Sequence, residues 1–251
     1  MKNEINTVRS IFTEKYMDSL CSTAKKLGYD YTSASLEEKA KIKEKVEEYW
    51  NNRAKEAERE ELAQKEFIKA SKQKSAWDYY RESVPRAFKE ANIQHFKADS
   101  PIVLHIMNGG SALIIGDTGV GKTHLAYACA KELAYNRADA TSVKVVDMSS
   151  MLSDVKKLDS DWLRAIKEKY GTVQTLFIDE FDKMFGSAAD YQLVSHLINA
   201  RWEEELQTVV MGNGSEEMAK NLLGAAAISR LVGRGTGGAF FSVGGLDRRR
   251  A

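Results

Sequence analysis

The pattern of apolar and polar positions changes near residue 84 of the 251-residue chain. Before that point apolar residues recur at helical spacing, which predicts one helix over about residues 6–27 and a longer one starting at Leu36. More than half of residues 36–74 are charged, with similar numbers of both signs and no Gly or Pro, which favours helix over disorder. Its apolar stripe is thin. The long helix therefore packs along one edge, against another helix or a partner, or lies solvated on the protein's own surface.

After residue 84 short apolar runs alternate with stretches long enough for helices. Pro85 ends the long helix, because the residue before a proline avoids the helical region. We therefore predict an all-helical N-terminal region at 1–83 and a core at 84–251. The apolar runs occupy residues 112–115, 143–147, 175–180, 208–213 and 239–243. This alternation predicts an α/β core with a parallel sheet covered on both faces, and functional residues at the carboxyl ends of its strands.

Composition and charge narrow the classes of function. Basic and acidic residues almost balance, giving a net charge of +1, so nucleic-acid binding would require a local basic patch. Cys21 and Cys129 are the two cysteines, too few for a zinc quartet, and they indicate a reduced, cytoplasmic protein. The N-terminus lacks the apolar segment of a signal peptide, and no apolar run reaches the roughly 20 residues of a membrane span.

The clearest chemical signal is a phosphate-binding P-loop between the first apolar run and a helical stretch. The loop consists of Gly116, Asp117, Thr118, Gly119, Val120, Gly121, Lys122 and Thr123. Its glycines let backbone N–H groups close around phosphates, and the following helix adds its positive N-terminal end. Lys122 can reach the β- and γ-phosphates, and the Thr123 hydroxyl can ligate Mg²⁺. The chain is therefore predicted to bind a nucleoside triphosphate together with Mg²⁺.

A second signal is the acidic pair that ends the third apolar run, at Asp179 and Glu180. In a Walker B strand Asp179 would hold Mg²⁺, directly or through water, and Glu180 would orient or deprotonate the attacking water. Asn213 closes the next run, where its amide could hold that water against the γ-phosphate, although Asn-Gly is more often a turn. An acidic pair that merely caps a strand is the structural alternative.

Arg230 and Arg234 lie near the C-terminal end of a predicted helix. The sequence supports a structural role and a catalytic role for them equally. Cations there complement the helix dipole. They could also act as an arginine finger that stabilises transition-state charge at the nucleotide of a neighbouring subunit.

The run from Gly116 through His124-Leu125-Ala126 resembles the P-loop of the DnaC/DnaI/IstB branch of AAA+ ATPases. Asn213 is similar to the sensor 1 asparagine of that family, and residues 228–231 resemble its box VII, which would make Arg230 the finger. Residues 84–88 together with Phe96 resemble the segment that leads into the core. The resemblance implies a five-stranded parallel AAA+ core without a C-terminal lid, assembled into rings or spirals with ATP between subunits. It also implies that Phe88, Phe96 and His124 contribute to the nucleotide site.

The expected biological role rests on the family resemblance, whereas the expected ATPase activity rests on the residues themselves. The leading hypothesis is a DnaC-type loader whose residues 1–83 bind a DnaB-type hexameric replicative helicase and whose assembly grips single-stranded DNA. Residues 1–83 lack the zinc ligands of DnaI-type loaders. Lys156-Lys157 and residues 248–250 are weak candidates for DNA contacts. The alternatives are an IstB-type transposition ATPase acting on duplex DNA and a non-catalytic, nucleotide-switched adaptor.

Overall fold

The computed structural model describes residues 2–97, 99–156, 161–184, 186–233 and 237–245, with side chains from residue 14 onward. Its contacts divide the chain into two compact units, residues 1–68 and residues 69–251. The boundary predicted at residue 84 instead coincides with the end of the second helix. None of the helices in the described ranges is long and apolar enough to span a membrane.

The first unit is helical, as predicted. Helix α1 spans Lys2–Lys26 and α2 begins at Leu36, ending at Ser83 in the second unit. Apolar side chains of the two helices and their connection form a small core: Leu20, Ala24, Ile42 and Val46, with Leu27, Tyr29, Tyr31, Ala34 and Trp50 against it. From residue 51 to 68 every residue of α2 is exposed. The helical hairpin therefore owes its packing to the first four turns of α2.

The second unit is built on a five-stranded parallel sheet, which confirms the predicted α/β core. Its strands are β1 (Ala112–Gly116), β2 (Val143–Asp147), β3 (Thr175–Asp179), β4 (Gln207–Gly212) and β5 (Ala239–Val243). The order across the sheet is β2-β3-β4-β1-β5. Strands β3 and β4 are buried along their whole length, which explains why their sequences are continuously apolar rather than alternating.

Helices cover both faces of this sheet. They are α3 (Pro101–Met107), α4 (Lys122–Arg137), α5 (Met148–Lys156), α6 (Trp162–Tyr170), α7 (Ala188–Glu203), α8 (Glu216–Leu223) and α9 (Ala225–Val232). One apolar layer joins the sheet to α5–α9, and the other joins it to α3, α4 and the end of α2. The register keeps the carboxyl ends of the strands level, since Ile115 pairs with Gly212 and Gly116 with Val243.

Candidate active site

The P-loop connects the carboxyl end of β1 to the first turn of α4. Gly119 and Gly121 have φ values of 85° and 102°, in the left-handed region that favours glycine. Gly116 is required for a different reason, because a Cβ there would lie 2.1 Å from the Val243 carbonyl oxygen. The loop thus delivers the N-terminus of a 16-residue helix to the edge of the sheet, where it favours a bound anion.

Lys122 joins the P-loop to the end of β4. Its Nζ donates to the carbonyl oxygens of Gly116 at 2.8 Å and Asp117 at 2.9 Å, and to Asn213 Oδ1 at 2.9 Å. The side chain is buried, and all three partners are neutral oxygens. A buried ammonium at a helix N-terminus, with Asp179 near enough to interact with it electrostatically, is an arrangement suited to phosphate.

Thr123 and Asp179 meet beside this lysine. The Thr123 hydroxyl donates to Asp179 Oδ2 at 2.5 Å, and the Glu180 N–H donates to Oδ1 at 2.8 Å. Burial raises the pKa of Asp179, and these two hydrogen bonds oppose the increase. A hydroxyl and a carboxylate are ligands that Mg²⁺ accepts. Across the described ranges no three His, Cys, Asp or Glu side chains cluster as a metal site, so Mg²⁺ here would draw its remaining oxygens from phosphates and water.

Glu180 is held in a sparsely populated backbone conformation. Its φ of 56° is left-handed, unusual for a residue with a Cβ, and it begins a 3₁₀ turn over Phe181–Lys183. Its carboxylate accepts a hydrogen bond of 2.6 Å from Lys183 Nζ. Glu180 lines the cavity that Lys122 and Thr123 also line.

Asp182, which the sequence did not single out, fixes the orientation of Asn213. The Asp182 carboxylate accepts hydrogen bonds from the backbone N–H of Asn213 at 2.8 Å and from its side-chain Nδ2 at 3.0 Å. The Oδ1 atom of Asn213 is therefore left to face Lys122. Asp182 approaches the end of β4 closely, since a Cβ on Gly212 would lie 2.6 Å from Asp182 Oδ1. The sequence did contain a signal for this contact. Asp182 is a third acidic residue soon after Asp179 and Glu180, and Gly212-Asn213 closes the next apolar run.

Two cavities flank the P-loop and share its Gly121 and Lys122. The one on the polar side has a volume of about 710 Å³ and holds the acidic pair and the asparagine. Its lining is Ala87, Phe88, His95, Thr118, Gly119, Gly121, Lys122, Thr123, His124, Asp179, Glu180, Gly212 and Asn213. The second cavity, of about 670 Å³, has an apolar wall of Phe96, Ile102, Val120, Leu125 and Val243. The charged and amide side chains of the first cavity suit phosphates and a metal ion, and the apolar wall of the second suits a base.

The aromatic residues predicted for this site divide between the two cavities. Phe96 lines the second cavity, whereas Phe88 lines the first and stacks on Tyr127, with ring centroids 4.9 Å apart. His124 shares a hydrogen bond of 3.0 Å with His95, which lines both cavities. Sequence reasoning missed His95 as well as Ile102 and Val243, because none of them belongs to a local motif.

Arg230 lies apart from this cluster, near the amino ends of the strands. It lines a third cavity of about 550 Å³ with Gln207 and Thr208, the first residues of β4. At about 3.3 Å per residue the start of β4 is about 20 Å from Asn213. Of the other basic candidates, Lys156 forms an ion pair with the buried Asp190. Arg234, Lys157 and residues 248–250 fall outside the described residues.

Comparisons with known proteins agree with the fold of the core. Residues 112–234 match the family model described as "ATPase family associated with various cellular activities (AAA)". Among curated proteins, the chromosomal replication initiator protein DnaA of Roseobacter denitrificans is 25% identical over 109 residues. That match covers 43% of this chain but only 24% of the relative.

Solved structures share the fold at low sequence identity. The DnaC helicase loader is 18% identical with a TM-score of 0.52, covering 63% of this chain and 99% of that one. DnaI is also 18% identical, with a TM-score of 0.51, covering 66% of this chain and 95% of that one. At this identity the likeness establishes the AAA+ fold of the core, which confirms the predicted architecture.

Proposed function

We propose that this chain, which carries an AAA ATPase domain at residues 112–234, hydrolyses ATP with the help of Mg²⁺ at the carboxyl edge of its sheet. The observation that carries the proposal is the meeting of Lys122, the Thr123–Asp179 pair, Glu180 and Asn213 around one cavity. These groups come from three separate segments of the chain. A site that only bound nucleotide would have no need of the carboxylate of Glu180 beside it.

Each side chain has a distinct task in this proposal. Lys122 and the P-loop amides neutralise the phosphates, and Thr123 and Asp179 hold Mg²⁺, which supplies positive charge to the phosphate oxygens. Glu180 orients the attacking water and accepts its proton. To do so it must leave Lys183, and because that ion pair is largely exposed and screened by solvent, its loss costs little.

Phosphate release measurements on two variants test the ATPase assignment. Glu180→Gln should bind ATP with near-normal affinity but hydrolyse it on the order of 100-fold more slowly, since only the base is lost. Lys122→Ala should lose ATP binding itself. Glu168→Gln, an exposed glutamate on α6, is the matched control and should behave as wild type. Normal turnover in Glu180→Gln would remove the proposed base.

We also propose that Arg230 acts on the nucleotide of a neighbouring copy. Its distance from the chain's own cluster supports action in trans, which implies a homo-oligomeric ring or spiral. Arg230→Ala alone should be nearly inactive. Mixing it with Lys122→Ala, which retains the arginine but binds no ATP, should restore hydrolysis, because each defective subunit supplies what the other lacks. Mixtures no more active than their components would refute action in trans.

The biological role that we propose is ATP-dependent loading of a hexameric replicative helicase onto single-stranded DNA. Support comes from the resemblance of the P-loop and of residues 228–231 to the DnaC/DnaI/IstB branch and from the fold shared with the DnaC helicase loader. The separate helical unit at residues 1–68 is the proposed helicase-binding part. We place this activity in the cytoplasm, where Cys21 and Cys129 would stay the free thiols that they are in the structure.

Reconstitution tests this role. The full chain should increase unwinding by the replicative helicase of the same replicon on closed circular single-stranded DNA, where a preformed ring cannot thread itself. A chain lacking residues 1–68 should hydrolyse ATP but fail to stimulate. Binding of duplex DNA and a transposase in place of the helicase would favour the IstB-type alternative. Stimulation that survives Glu180→Gln through repeated cycles would favour a nucleotide-switched adaptor.

A further inference from the structure

We propose that Trp202 is the residue that positions Arg230 for its action on a neighbouring subunit. This inference rests on the proposed function of Arg230 in trans. Trp202 lies near the end of α7 and Arg230 near the end of α9, and the guanidinium carbon is 5.3 Å from the centroid of the indole ring. At that separation a cation is attracted to the ring face.

The hydrogen bonding of Arg230 shows what the ring contributes. Its Nη1 donates to the Ala226 carbonyl oxygen at 3.1 Å, one turn earlier on α9, while its Nε is buried without a hydrogen-bond partner. No ion pair of Arg230 occurs among the described residues. One hydrogen bond and one ring face thus define the side chain's direction, and most of its five N–H donors are uncommitted.

A ring face is a useful support for a group that must bind an anion elsewhere. A carboxylate partner would occupy the N–H donors of the guanidinium and neutralise its charge. The indole holds the guanidinium by its π face and leaves the donors at its edge for phosphate oxygens. Trp202 therefore orients the cation without consuming the groups that would act on the neighbour's nucleotide.

The surroundings make this support necessary. Glu203 and Glu205 line the same cavity as Arg230 without an ion pair to its guanidinium in the structure, and Glu203 accepts a hydrogen bond from Asn199 Nδ2. Trp202 itself has a rigid base, because the adjacent Arg201 is fully buried and donates to the carbonyl oxygens of Tyr170 and Gln207. Without the indole we expect the arginine to turn toward the glutamates, away from a neighbouring subunit.

Mixed assemblies of two defective subunits test the inference. The reference mixture combines an acceptor, Arg230→Ala with an intact P-loop, and a donor, Lys122→Ala with an intact arginine. Trp202→Leu is then placed in either the donor or the acceptor. In the donor it should lower the ATPase rate of the mixture by about two- to fivefold, the effect of one exposed cation–π contact. In the acceptor, which has no arginine to position, it should leave that rate unchanged.

The two arms separate positioning from a merely structural role. Trp202→Leu in either subunit would weaken folding or assembly alike, so equal losses in both arms would overturn the inference, as would no loss in the donor arm. Trp202→Phe in the donor keeps a ring face and should recover most of the rate. If the reference mixture itself is inactive, the proposed action of Arg230 in trans fails, and the role of Trp202 fails with it.

Discussion

Arg201 should contribute several kcal/mol to the stability of the core although it takes no part in the chemistry. It is fully buried, and it donates to Thr208 Oγ1 at 2.8 Å and to carbonyl oxygens of Tyr170, Val173 and Gln207 at 2.7, 2.7 and 2.5 Å. Burial lowers the pKa of its guanidinium to about 10, so the group is charged at neutral pH. One side chain thereby ties the end of α7 to the loop before β3 and to the start of β4.

The expected magnitude follows from the partners that Arg201→Met leaves behind. Methionine fills a similar volume but donates no hydrogen bond, so three buried acceptors and the half-buried carbonyl oxygen of Val173 lose their donor. At about 1 kcal/mol or more for each, the loss is at least about 4 kcal/mol. Removing a buried charge offsets part of it, so we expect a net destabilisation of roughly 3 kcal/mol. That is a large share of the roughly 5–15 kcal/mol that stabilises a typical domain.

Urea unfolding followed by tryptophan fluorescence and circular dichroism measures this effect. The matched control is Arg164→Met, which removes an exposed arginine on α6 whose only resolved ion pair is with Glu168 one turn away. The control should leave the free energy of unfolding almost unchanged, because an exposed ion pair contributes little. If Arg201→Met is as mild as the control, the four hydrogen bonds do not have the assigned energetic weight.

Two further predictions concern the cluster at the carboxyl edge. Burial raises the pKa of Asp179, so the folded chain binds a proton there more tightly than the unfolded chain, and the charged form costs stability at neutral pH. Asp179→Asn should therefore raise the melting temperature of the nucleotide-free chain at pH 7, by an amount that shrinks as the pH falls toward the ordinary value of 3.8, while abolishing hydrolysis. Asp182→Asn should lower kcat about tenfold with little change in ATP affinity, because one amide cannot accept both N–H groups of Asn213.

A specific measurement would contradict each of these two predictions. A melting temperature for Asp179→Asn below that of wild type at pH 7 would mean that the charged carboxylate stabilises the fold instead of burdening it. For Asp182→Asn, a kcat equal to that of wild type would show that the amide of Asn213 keeps its orientation without the carboxylate. Ser187→Ala, which removes a helix cap remote from the cavity, serves as the control for general destabilisation in both experiments.

Much of the fold could be predicted because it depends on local sequence. The runs at residues 143–147 and 239–243 became strands with those same limits, and Gly116 to Thr123 became the expected strand-to-helix loop. Hydrophobic periodicity and turn-forming residues act over a few positions. The sequence of a strand or of a glycine loop is therefore enough to predict where it forms. The chemical identities of Lys122, Asp179 and Glu180 were readable in the same way.

Tertiary structure decided which of these residues meet. Lys122 and Asn213 are separated by 91 positions, and their contact depends on β4 lying beside β1, an order that no local pattern specifies. The same holds for Asp182 behind Asn213 and for Trp202 beneath Arg230. The sequence left Arg230 divided between capping a helix and acting on a neighbour. Its position at the amino edge of a parallel sheet, whose nucleotide loop lies at the carboxyl edge, is a consequence of strand direction and packing, and it favours the second role.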